Sequence, residues 1–64
     1  MGQYERAIAL YEQALAIHRE VHNRGTEGIT LNNLGVCYRE MSQYERAIAL
    51  YEQALAIHRE VHNR

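Results

Sequence analysis

The 22 residues Gln3–Arg24 (QYERAIALYEQALAIHREVHNR) return without a change at Gln43–Arg64, an offset of 40 residues. A repeat at that period is one supersecondary unit that cannot bury its apolar face alone, so copies of it stack. Between the copies lies a single connecting segment, Gly25–Glu40, flanked by Met41 and Ser42. The order is therefore element, connector, same element again. Any fold must place two identical segments around one that differs.

The repeated segment has helical periodicity. Tyr4, Ala7, Ile8, Tyr11, Ala14, Leu15 and His18 fall at 3-4-3-4 spacing, and Leu10, Ala14, Ile17 and Val21 run beside them. Two stripes make an arc wider than a one-sided surface helix needs, so neighbours are expected on two sides. The connector carries Ile29, Leu31, Leu34, Val36, Cys37, Tyr38 and Met41, with Gly35 in mid-helix. A glycine there costs about 1 kcal/mol against alanine, which points to close approach of another helix. The spacing predicts helices over 3–22, 25–41 and 43–62, an all-α chain. Asn23 either helps to close the first helix in the left-handed conformation, as Gly25 can, or caps the second. Glu20 and Arg24 stand four apart, in the order that favours a helical ion pair. Ser42 followed by Glu45 reads as a capping box for the third helix, and Gly2 denies the first copy that box.

Composition excludes several functions. Seven basic residues against eight acidic ones give a formal charge of −1, which suits neither nucleic acid nor an anionic membrane as partner. One cysteine, Cys37, forms no intrachain disulfide and no thiolate cluster. No apolar run reaches membrane-span length, and the residues after Met1 are not those of a leader; for a natural chain a cytoplasmic location is expected, and for an engineered one none is. No nucleophile–base–acid set, phosphate loop or dinucleotide glycine pattern occurs, so neither enzymatic activity nor a cofactor is expected. The candidate metal ligands are His18 with His22 and His58 with His62, each pair four apart. Their context is HREVH; the glutamate lies one place away from where a zinc protease needs its base. Their simpler role is to end an amphipathic helix and complement its dipole when protonated.

Leu31-x2-Leu34-Gly35-x2-Tyr38, followed by Tyr44, Ala47, Tyr51 and Ala54, resembles the tetratricopeptide repeat in its longer 40-residue form. Leu31 stands where that family often has Trp, and the helix-ending Pro is missing. The resemblance covers the whole chain. It implies an antiparallel helical repeat in the order B–A′–B′: residues 1–24 as the second helix of a repeat, and 25–64 as one complete repeat. It also implies that Gly35 and Ala47 are the small residues at a helix contact, that Cys37 is inert packing, and that the tyrosines fill the core. In this family A helices line a groove for extended peptides; Ile29, Asn32, Asn33, Val36, Arg39 and Glu40 would face it, in an array longer than one repeat. Solvent-facing positions normally drift, so 22 identical residues point to a very recent duplication or to an engineered or excised fragment.

Self-association follows from the ratio of two long helices to one connector. Identical long helices must turn different faces to the helix they share, and each keeps one face unused. The residues concerned are Tyr4, Ile8, Leu10, Tyr11, Leu15, Ile17 and Val21, with their copies Tyr44, Ile48, Leu50, Tyr51, Leu55, Ile57 and Val61. A homodimer closed by two-fold pairing is the expected form, with helix exchange and a filament as alternatives.

Overall fold

A computed structural model describes residues 2–62; the outer bounds of the domain expected over 1–64 lie outside them. The chain is α1 (Gln3–Glu20), α2 (Arg24–Glu40) and α3 (Tyr44–His62). Among the described residues α2 packs against both neighbours, and α1 and α3 do not touch. The Cα trace measures 42 × 22 × 11 Å. Its width is that of three helices side by side at the usual 8–10 Å spacing. The molecule is thus a single helical layer with both of its long edges open.

The two turns share one backbone solution, a Schellman closure. After α1, the His22 N–H donates to the Arg19 carbonyl at 3.2 Å and Asn23 N–H to that of His18 at 2.8 Å. After α2, the Ser42 N–H donates to the Arg39 carbonyl and Gln43 N–H to that of Tyr38, both at 2.9 Å. The residue forced to positive φ is His22 in the first turn (59°) and Ser42 in the second (63°). This corrects the reading of Ser42 as a helix cap. In the left-handed region it closes α2 and does not open α3, whose first turn begins instead with the Ala47 N–H bonded to the Gln43 carbonyl at 3.1 Å. Asn23 takes the capping role left open above, its Oδ1 accepting from the Thr26 N–H at 3.3 Å. The turn also breaks the helical register between Glu20 and Arg24, so Arg24 pairs with other partners.

The core is small: Leu15 from α1, Leu31 and Leu34 from α2 and Ile57 from α3, with Ile8, Tyr11, Tyr38, Leu50 and Ala54 packed around them. The contact between α2 and α3 depends on missing side chains. A Cβ on Gly35 would lie 2.8–3.1 Å from three carbons of the Tyr51 ring, and one on Gly28 would lie 3.2 Å from Ile57 Cγ2. Ala47, 2% exposed, is the small residue on the α3 side. The expected close helix contact at Gly35 and Ala47 is therefore present, and Gly28, one heptad before Gly35, extends it. Cys37 is buried, and burial pushes its thiol pKa up, the direction of an unreactive packing residue.

Candidate protein-interaction surface

Identical sequence does not give identical burial. Leu15 is 8% exposed but its copy Leu55 is 47% exposed; Ile17 is 57% exposed but its copy Ile57 only 5%. Helix α1 turns Ile8, Tyr11 and Leu15 to α2, whereas α3 turns Ala47, Leu50, Ala54 and Ile57 to it. Each long helix leaves open the stripe that its twin uses. On α1 the open stripe is Leu10 and Ile17, and on α3 it is Ile48 and Leu55; Tyr4, Val21, Tyr44 and Val61 are exposed as well. Of the residues expected to drive association, Ile8, Tyr11, Leu15, Leu50, Tyr51 and Ile57 are wholly or partly covered within the chain. The other eight remain on the surface.

The open stripe of α3 borders a groove of about 670 Å³ between the first half of α2 and the second half of α3. Gly25, Gly28, Ile29 and Asn32 form one wall; Tyr51, Ala54, Leu55, Ile57, His58, Val61 and His62 form the other. The absence of side chains at Gly25 and Gly28 helps to make room there. Of the residues expected to face a peptide, Ile29 and Asn32 line this groove. Asn33 and Val36 are half-buried outside it, and Arg39 and Glu40 are exposed and paired with each other at 3.4 Å.

One end of the layer is tied by a chain of charges. Glu27, 3% exposed in the first turn of α2, accepts from Arg19 Nε and from Arg24 Nη1, each at 3.0 Å. Arg24 also grips Glu60 with two bonds, Nη2 to Oε1 at 2.7 Å and Nε to Oε2 at 3.1 Å. The sequence Arg19–Glu27–Arg24–Glu60 thereby joins all three helices. Burial pushes the Glu27 carboxyl pKa up, but the hydrogen bonds from Arg19 and Arg24 outweigh it and hold the group below the usual carboxylate range. The bond from Arg24 likewise lowers Glu60, and Glu60 raises Arg24. Charge and dipole agree as well, with the glutamate at a helix N-terminus and Arg19 near a C-terminus. Sequence reading missed this cluster, because its members come together only across helices.

The two histidine pairs have different fates. His22 leaves the helix at positive φ, so His18 and His22 are not four apart on one face. His58 and His62 both stay in α3, with ring centroids 4.5 Å apart. Among the described residues no three His, Cys, Asp or Glu side chains gather as a metal site would need. No helix among them is long and apolar enough to cross a membrane.

A family model described as tetratricopeptide repeat matches residues 1–60. The chain belongs to the tetratricopeptide repeat family. No curated protein and no solved structure matches it. Tetratricopeptide repeats are helical protein-interaction modules and generally non-catalytic scaffolds.

Proposed function

We propose that this tetratricopeptide repeat chain is a non-catalytic scaffold module that associates with itself through the open stripes of α1 and α3. The observation that carries this reading is the exchange of burial between identical helices: Leu10 and Ile17 on one side and Ile48 and Leu55 on the other stay exposed although their twins are wholly or partly covered. In a molecule one helix thick, neither stripe can fold back onto the core. Contiguous apolar stripes of this kind mark association surfaces, and a small domain gains stability from covering them. Two-fold pairing of like stripes closes the assembly at a dimer. Sedimentation equilibrium at tens of micromolar tests it: the parent chain should run as a dimer, and the Leu10→Glu, Ile17→Glu, Ile48→Glu and Leu55→Glu variant as a folded monomer. A parent chain that stays a stable monomer over that range refutes self-association.

A further inference from the structure

We propose that His58 and His62 on α3 form a two-imidazole site for a divalent late transition-metal ion, and that the identical pair His18 and His22 does not. The inference goes beyond the scaffold reading and uses no residue of the association stripes. Both pairs sit in the same five-residue run, HREVH. Side chains four apart on one helix lie above each other on the same face, about 5–6 Å apart at Cβ. His58 and His62 keep that relation, because α3 runs to His62. Their ring centroids stand 4.5 Å apart, with the planes tilted by 42°. Two imidazole nitrogens on one ion, each about 2 Å from it, lie about 3 Å from each other. Both rings are exposed, and rotation about their own side-chain bonds brings them to that spacing with the backbone unmoved. The first copy is different. There the helix ends at Glu20 and His22 stands at φ 59°, so the two histidines do not share a face.

The ligand set specifies the ion. Imidazole is a nitrogen donor that suits Ni²⁺, Cu²⁺ and Zn²⁺, whereas Mg²⁺ and Ca²⁺ take oxygen. Glu60 lies between the two histidines in sequence, but Arg24 engages both of its oxygens, at 2.7 and 3.1 Å. An ion held wholly by protein needs three or more side chains, and no three gather among the described residues. The ion at His58 and His62 therefore keeps water at its other positions, an open arrangement of the kind that tetragonal Ni²⁺ and Cu²⁺ accept. The hollow lined by Ala56, His58, Arg59, Glu60 and His62 leaves room for that water. A cation there also complements the dipole at the C-terminal end of α3. Coordination spans the last turn of the helix, so the ion favours the folded chain over the unfolded one.

The test is calorimetric titration of Ni²⁺, which does not oxidise Cys37, into the full chain in a non-coordinating buffer. One ion per chain should bind saturably, and the thermal midpoint should rise with Ni²⁺ concentration. His58→Ala and His62→Ala should each weaken binding by at least about tenfold, since losing a ligand costs more than losing a residue that only orients one. The His18→Ala and His22→Ala double variant should bind as the parent does, and Mg²⁺ should not bind. Circular dichroism checks that each variant stays folded. The Leu10→Glu, Ile17→Glu, Ile48→Glu and Leu55→Glu variant should also bind one ion per chain, which separates this result from self-association. The proposal is overturned by the absence of saturable binding, by two ions per chain, by unchanged affinity in His58→Ala, or by affinity lost with His18 and His22. One ion per two chains overturns it as well, because the pair would then be half of a bridge between copies.

Discussion

Ser42→Gly should stabilise the protein, although serine before a helix is ordinarily a favourable cap. Ser42 sits at φ 63°, where every residue with a Cβ is strained, and its hydroxyl makes no hydrogen bond among the described residues. The left-handed conformation costs an L-residue about 1–2 kcal/mol. Glycine escapes that strain but gains freedom in the unfolded chain worth roughly 0.5–1 kcal/mol. The difference leaves a net stabilisation of about 0.5–1 kcal/mol, or roughly 3–6 °C in midpoint for a domain of this size. His22 occupies the equivalent place at φ 59°, at the other end of α2, so His22→Gly should add a similar amount independently. Thermal unfolding followed by circular dichroism measures both, at one fixed protein concentration so that any association is held constant. The capping-box alternative gives the opposite sign: glycine would lose a few tenths of a kcal/mol and alanine about 1. A Ser42→Gly midpoint equal to or below that of the parent would refute the left-handed assignment of this turn.

Two further perturbations probe the packing and the charge cluster. Gly35→Ala should destabilise by about 1–2 kcal/mol, overpacking against the Tyr51 ring exceeding the gain in helix propensity; Gly28→Ala, whose one tight contact is Ile57 Cγ2 at 3.2 Å, should be neutral within about 0.5 kcal/mol. Equal effects in urea unfolding would show that the two glycines are not differently crowded. Glu27→Gln should cost about 1.5–3 kcal/mol at neutral pH, the worth of hydrogen bonds to a charged group. Because the folded state lowers the Glu27 pKa, its contribution is fully present above the ordinary carboxylate pKa and is lost as pH falls through the lower folded value. The parent should therefore lose stability on acidification more steeply than Glu27→Gln, which keeps the response of Glu60 but not that of Glu27. Parallel pH profiles would show that Glu27 is not held as a carboxylate.

The 40-residue offset and the 3.6-residue stripes by themselves determined an all-α repeat of three helices, because local periodicity and the duplication carry that information; the antiparallel order was what the resemblance to the tetratricopeptide repeat implied. Gly35 pointed to the close helix contact for the same reason: a glycine in mid-helix has a cost that only packing offsets. What tertiary structure alone decided is where identical residues part company. Nothing in the sequence distinguishes Leu15 from Leu55 or Ile17 from Ile57; α2 does, by lying against one stripe of α1 and the other stripe of α3. Ser42 looked like a cap because serine and glutamate stand at capping distance, but the closure of α2 used that residue first, two positions ahead of the start of α3. The HxxxH pairs looked alike until the first turn carried His22 out of its helix. The Arg19–Glu27–Arg24–Glu60 chain spans three helices, so no local spacing could reveal it, and among the described residues it leaves Arg59 as the unpaired copy of a paired residue. Short-range order follows from propensity and period. Partner choice belongs to the one helix that the two copies share.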